Sequence, residues 1–300
     1  MNTLKVLVLL PALFQTSSAQ YHSYERGKQE RPNIVPNIVH WISPGPDGEL
    51  MAFWQYLNAL SIVDVIKPDI FYFHHTAGAL PSGAWWNKTK CLMTLVPHPA
   101  VTRVFHHDVL HIAHKSDVLR LKVLNQYGGI YLDTDVLVVR SFESLRGNQF
   151  TIGIEAEGLT ANAVMIAMRN APFVDIFYKA YEAHYDENSW AGASVKLPHT
   201  LALQHPDKVV WLPKTAFFSP TWTETKQIFS DPMTDDQFSS VPSRFAQHLW
   251  HHVSSEYLNS VSCPAYFRSN ISTLYSRLIK SLAANAGSLM DVALSSDECN

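Results

Sequence analysis

Asp133 and Asp135 stand one residue apart in the stretch NQYGGIYLDTDVLVV, residues 125–139, between two apolar runs. Strand side chains alternate faces, so positions i and i+2 point the same way. Both carboxylates should converge on one point at a strand end, enclosed by hydrophobic chain. Two negative charges held together there are costly unless something positive joins them. Hard carboxylate oxygens suit Mn²⁺ or Mg²⁺, ions usually shared with substrate phosphates. The sequence has no Gly-x-x-x-x-Gly-Lys-Ser/Thr loop and no Gly-x-Gly-x-x-Gly to hold phosphates by backbone amides. A divalent cation is then the main phosphate anchor. A diphosphate leaving group neutralised by a metal is the chemistry of transfer from a nucleotide sugar.

The element that precedes the pair carries a second clue. Residues 112–127 have helical spacing, and Gly128-Gly129 ends the helix. At ~100° per residue, Lys115, Lys122, Asn125 and Gln126 cluster on a water-facing side. Asp117 and Arg120 fall inside the opposite, apolar arc, one turn apart. A purely structural ion pair there adds little net stability over apolar residues. Its direct continuity with Asp133 and Asp135 favours a shared site.

The elements around this unit alternate. NIVPNIVHWI predicts a strand ending near Trp41, with Pro36 only at its beginning. Helical spacing runs from Leu50 to Ile66, a strand starts at Asp69, and VTRVF at 101–105 reads as a short strand. FTIGIEA and AVMIAM are further strands, and residues 173–184 are helical. Such alternation predicts an α/β domain with a mostly parallel, doubly covered sheet. The expected organisation is a signal peptide or short signal anchor over 1–19 and a flexible lead-in over 20–33. One domain then spans 34–265, and a Ser/Ala/Leu-rich helical tail covers 266–300.

Composition fits this reading. The chain has 300 residues, 47% hydrophobic and 16% charged, enough apolar material for a sizeable core. A formal net charge of −3 without any Lys/Arg-rich run disfavours nucleic acid as a partner. The first 20 residues, with one lysine, an apolar stretch and Ser-Ser-Ala before Gln20, resemble a cleavable secretory leader. The stretch is short for a bilayer and Pro11 interrupts it, so membrane association is expected only if it stays uncleaved. The expected location is the secretory pathway, in the Golgi lumen or secreted. Sequons at Asn87 and Asn270 suit that compartment. Cys91, Cys263 and Cys299 allow one disulfide, whose pairing the sequence leaves open.

The combined pattern SDVLRLKVLNQYGGIYLDTDV, Ser116 to Val136, resembles the signature of the DXD sugar-binding glycosyltransferases, family 32. Weaker similarity extends over roughly residues 34–255. IVPNIVHWI resembles the family's first strand, which lines the base pocket; Ser43 stands where the family has Trp, so Trp41 is the candidate aromatic. NAVMIAM, from Asn162, resembles the segment facing sugar and acceptor. WAGASV resembles a Gly-Pro segment with Ala193 in place of Pro, and QHLWHH resembles a late His-x-Trp motif.

The resemblance implies a GT-A type fold, Rossmann-like, with helices on both faces of a mostly parallel sheet. It implies retaining transfer of a hexose from a UDP- or GDP-sugar to a carbohydrate, lipid or protein hydroxyl. Asp133 and Asp135 are then the catalytic metal-binding pair, with His248 as a further ligand of Mn²⁺ or Mg²⁺. Asp117, Arg120, Tyr131, Trp41 and Asn162 are the expected substrate-binding residues. No carboxylate stands out as a covalent nucleophile, which favours a front-face mechanism.

Three rival readings compete. Asp-x-Asp after a strand also resembles the haloacid-dehalogenase phosphatases, but those need Thr or Val where this chain has Leu137. HDVLH, residues 107–111, with His114 nearby, resembles a zinc-protease motif with Asp for Glu, though fifteen histidines make chance spacings common. A sugar-binding protein on an inactive transferase scaffold is the third.

Overall fold

The computed structural model describes residues 32–43, 49–76, 80–269 and 271–299. The leader over 1–19, nearly all of the lead-in and the sequon residue Asn270 lie outside the described residues. Among the described residues there are eleven strands: β1 (Ile38–Ser43), β2 (Ile70–Thr76), β3 (Thr94–His98), β4 (Arg103–Val104), β5 (His107–Asp108), β6 (Gly129–Leu132), β7 (Val136–Val138), β8 (Phe150–Ala156), β9 (Leu159–Ala167), β10 (Val210–Leu212) and β11 (Ala246–His248). Seven form one sheet in the order β10-β8-β9-β6-β1-β2-β3. β6, β1, β2 and β3 run parallel, as do β8 and β10, while β9 runs antiparallel between β6 and β8. The α/β class and the mostly parallel sheet agree with the alternation in the sequence.

The chain moves from β1 to β2 and β3 on one side, then returns to β6 on the other. Loops diverge at such a reversal, and ligands bind there at the carboxyl ends of the strands. Asp133 follows the last residue of β6, at that end.

Burial on both faces explains the near-continuous apolar strands. Trp41, Ile130 and Leu132 pack into one core, which also takes in the Phe53–Ser61 helix and the chain's last helices. Ile42 and Tyr131 pack into the other, with the Ile112–Tyr127 and Pro172–His184 helices.

Two expectations change. VTRVF does not join the sheet; Arg103 and Val104 pair only with His107 and Asp108 in a small hairpin, with Phe105 at φ 51° in its turn. The segment after 265 is not a separable tail. Tyr275, Ile279 and Met290 are fully buried in the first core. The Asp64 carboxylate accepts the Leu289 and Met290 amides at 3.1 and 2.9 Å, capping the Leu289–Ser295 helix. A Cys263–Cys299 disulfide ties its end, and Cys91 is the free, exposed cysteine.

The Gly-Gly turn is a strict backbone requirement. Gly129 has φ +107°, and a Cβ there would meet the Ile38 carbonyl oxygen at 2.5 Å and His40 Nε2 at 2.9 Å. Gly129→Ala is therefore expected to cost roughly 3 kcal/mol or more. Urea unfolding of the variant checks this; a loss within the range of ordinary surface substitutions would contradict it.

Beside this turn three imidazoles form a buried chain. His40 Nε2 lies 2.7 Å from the Gly128 carbonyl, which can only accept, so His40 donates there. Its Nδ1 then accepts from His74 Nε2 at 2.9 Å, and His74 Nδ1 accepts from His98 Nε2 at 2.8 Å. The order needs neutral rings. Burial lowers His40 from 6.5 to about 4, against the pull of the Gly128 carbonyl. Burial, then the neighbouring imidazoles, lowers His74 to about 2.

The unfolded chain takes up these protons near pH 6.5 and the folded one only well below it. Stability contributed by the chain is thus complete above pH 6.5 and falls as pH drops toward 4. His40 alone accounts for roughly 3 kcal/mol over that window. Denaturant unfolding at pH 7, 6, 5 and 4 measures it, and His40→Asn should flatten the dependence. A flat wild-type profile would contradict this account.

Candidate active site

Asp133, Thr134 and Asp135 form the turn between β6 and β7. The turn is held from three sides. Asp133 N–H donates to the Ala163 carbonyl of β9 at 2.9 Å, and Val136 N–H donates back to the Asp133 carbonyl at 3.1 Å. Asn58 Nδ2 donates to the Thr134 carbonyl at 2.9 Å. β7 then pairs with β11, which sets His248 opposite Val136.

His248 Nε2 comes within 3.2 Å of Asp135 Oδ1. The His251 amide donates to Asp135 Oδ2 at 2.8 Å. Ligand atoms of Asp133, Asp135 and His248 all lie within 4.8 Å of one another. Two hard oxygens and one imidazole nitrogen fit Mn²⁺ or Mg²⁺. Among the described residues the His107, His111 and His114 run builds no such group. His107 meets the Glu182 carbonyl at 3.0 Å and His114 Nδ1 meets the Tyr185 hydroxyl at 3.0 Å.

Arg120 links the carboxylates to the helix. It is 5% exposed and Asp117 3%, so both charges do face inward. Its Nη2 lies 3.2 Å from Asp117 Oδ1 and its Nη1 3.2 Å from Asp133 Oδ1. Nη1 also donates to Asn162 Oδ1 at 2.8 Å, and Asn162 Nδ2 donates to Asp117 Oδ1 at 3.0 Å. The guanidinium stands 4.5 Å over the Tyr131 ring, and the Tyr131 hydroxyl donates to Asp133 Oδ1. Asp117, Arg120, Tyr131, Asn162 and Asp133 are thus one connected network. The guanidinium is taken up by protein acceptors, so in this structure it positions the carboxylates.

The charges sort themselves accordingly. Burial raises the Asp133 carboxyl above its usual range, opposed by Arg120 and reinforced by Asp135. Burial acts on Asp135 in the same sense, but the His248 charge and hydrogen bond and the His251 amide overcome it and hold Asp135 well below the usual range. Burial works against a charged His248, and Asp135 outweighs it, raising that imidazole. A cation that accepted Asp135 and His248 as ligands would take over the role of this proton.

Trp41 departs from its expected role. Its side chain is fully buried and packs edge-on against Phe71, with ring centroids 5.2 Å apart. Odd and even positions of β1 face opposite cores, and Trp41 falls with Val39 in the first, fully buried. His248 and Trp250 do pack together, centroids 4.1 Å apart, while the His251 ring turns away to Trp54.

Glu155 is a residue that the sequence did not flag. It is 6% exposed on β8, burial raises its carboxyl, and the nearby His248 charge opposes the shift. The available signal was a lone charge inside the apolar run FTIGIEA.

Residues 37–151 match the family model described as "Glycosyltransferase sugar-binding region containing DXD motif". The chain is 34% identical over 254 residues to Glucan organizing enzyme 1 of Cryptococcus neoformans var. grubii, covering 79% of this chain and 68% of that one. It is 26% identical over 146 residues to the Lactosylceramide 4-alpha-galactosyltransferase of Rattus norvegicus, covering 45% of this chain and 40% of the relative. The solved structure of the galactosyltransferase LgtC with donor and acceptor sugar analogs aligns with a TM-score of 0.37 at 17% identity, over 77% of this chain and 99% of that one. A phosphohydrolase reading has no support in these relatives. On the strength of the matched DXD region and of similarity along most of its length, this chain belongs to the glycosyltransferases whose sugar-binding region contains the DXD motif.

Proposed function

We propose that this glycosyltransferase moves a hexose from a UDP- or GDP-sugar to a hydroxyl of a carbohydrate, lipid or protein acceptor, with retention and with a divalent cation. The supporting observation is the convergence of Asp133, Asp135 and His248 beside the Arg120 network, at the carboxyl edge of the sheet. These three residues would hold Mn²⁺ or Mg²⁺, which supplies charge neutralisation for the leaving diphosphate. Arg120 and Tyr131 fix Asp133, and the His251 amide fixes Asp135, so neither carboxylate must reorganise. In a front-face transfer the acceptor oxygen bonds to the anomeric carbon as the bond to phosphate breaks. The acceptor proton passes to the departing phosphate oxygen. The names of the fungal and rat relatives, for glucan and for a glycolipid, support a carbohydrate-bearing acceptor.

A thermal-shift screen of UDP, GDP and other nucleoside diphosphates, with and without Mn²⁺, tests base and metal together. Stabilisation that needs both nucleotide and cation is expected; indifference to the cation would count against the reading. The ligand set has its own test. His248→Ala is expected to raise the Mn²⁺ concentration needed for activity about tenfold or more, through loss of a ligand. His251→Ala keeps its backbone amide and should change little. Equal, small effects would return His248 to a packing role beside Trp250.

The secretory location is part of the same proposal. Among the described residues no helix is long and apolar enough to cross a membrane. Asn87 is exposed on the Ala84–Thr89 helix, accessible to glycosylation. N-terminal sequencing that found Met1 on an unmodified cytosolic chain would contradict this location.

A further inference from the structure

Transfer needs a surface for the acceptor as well as for the donor. Trp190, 57% exposed, lies at the rim of the site. Its indole stands 6.4 Å from the His111 ring, 6.2 Å from His114 and 6.2 Å from His252. These imidazoles belong to the two elements that build the donor site. His111 and His114 stand at the start of the helix that carries Asp117 and Arg120. His252 is in the first turn of the His251–Ser260 helix, whose first amide holds Asp135. His252 directly follows the residue whose amide binds Asp135, which places the rim next to the carboxylates. One exposed indole therefore faces both walls of the site.

His114 adds an independent observation. The Tyr185 hydroxyl donates to Glu187, so it must accept from His114 Nδ1–H, 3.0 Å away. In the neutral ring that bond sets the tautomer and leaves Nε2 as a bare lone pair. The ring is 1% exposed, and Nε2 is buried without a partner. A buried acceptor with no donor is costly and calls for explanation. A hydroxyl-rich ligand offers the missing donor, and an aromatic face offers an apolar platform for the C–H face of a sugar ring.

We propose that Trp190, with His114 and His252, forms the acceptor subsite, in which a hexopyranose ring stacks on the indole and a hydroxyl donates to His114 Nε2. Nε2 is shielded from water, so this contact requires a local side-chain movement at the subsite. The subsite rests on the glycosyl-transfer reading, and its test separates the two.

Saturation-transfer NMR on the full chain uses methyl β-D-galactopyranoside, methyl β-D-glucopyranoside and methyl α-D-mannopyranoside as probes. At least one glycoside is expected to receive saturation from the wild-type protein. Trp190→Ala should cut that signal about fivefold, as loss of one stacking contact implies, and Trp190→Phe should keep most of it. UDP or GDP affinity, measured in parallel by titration with Mn²⁺, reports on the donor site alone. Absence of saturation at all three glycosides, or a signal that survives Trp190→Ala, overturns the subsite. A glycoside signal lost in Trp190→Ala, in a protein that binds neither nucleotide, would keep the subsite and defeat the donor assignment.

Discussion

Asp135→Asn is expected to fold normally and to lose transfer by about 10³-fold or more, because one anionic oxygen at the proposed cation site disappears. The substitution preserves shape. The amide still offers an oxygen to the His251 N–H that now reaches Oδ2 at 2.8 Å. What it cannot replace is the charge. Asp135 is the more firmly ionised of the two aspartates, held below the usual carboxylate range by His248 and the His251 amide despite its burial. The pairing with His248 also dissolves, so that imidazole should return toward neutrality. Turnover and Mn²⁺ affinity measured on the folded variant check the prediction. Near wild-type turnover in a folded Asp135→Asn protein would sink the metal assignment.

Arg120→Ala is expected to be severe in a different way. Its cost falls on the fold as well as on activity. Arg120 is buried, paired with Asp117 and Asp133 and hydrogen-bonded to Asn162. Burial disfavours its charge, yet Asp133, Tyr131 and Asp117 outweigh it and hold the guanidinium above its ordinary value. Removing it leaves the buried Asp117 and half-buried Asp133 carboxylates uncompensated, which costs roughly 3 kcal/mol. Arg120→Lys keeps the charge but not the planar fork that bridges the Asp117 and Asp133 oxygens. It should therefore fold with a smaller loss and still transfer poorly. Chemical denaturation and single-turnover assays on both variants check this. A fully stable Arg120→Ala variant would show that the network is dispensable to the fold.

The local rules were legible in the chain. The Ile112–Tyr127 helix appears at the bounds its periodicity indicated, because inward Leu and Val positions recur at its turns and Gly-Gly ends it. Asp117 and Arg120 were readable as inward for the same reason, and Asp133 and Asp135 as a pair because they share one short turn. Each of these relations spans fewer than twenty residues.

Long-range placement was decided by the tertiary structure. His248 reaches Asp135 only because β11 pairs with β7, more than a hundred residues earlier in the chain. Asn162 meets Arg120 only because β9 lies antiparallel to β6. Trp41 looked like a base-binding aromatic by its place in the motif, yet a strand covered on both faces buries its central positions, and its neighbours placed it against Phe71. The last helices read as a tail because amphipathic spacing says which face is apolar and not what covers it; the shared core and the Asp64 cap decided that. Periodicity reports the face that a residue occupies on its own element. The partner across the gap is chosen by strand register and packing, which no single segment carries.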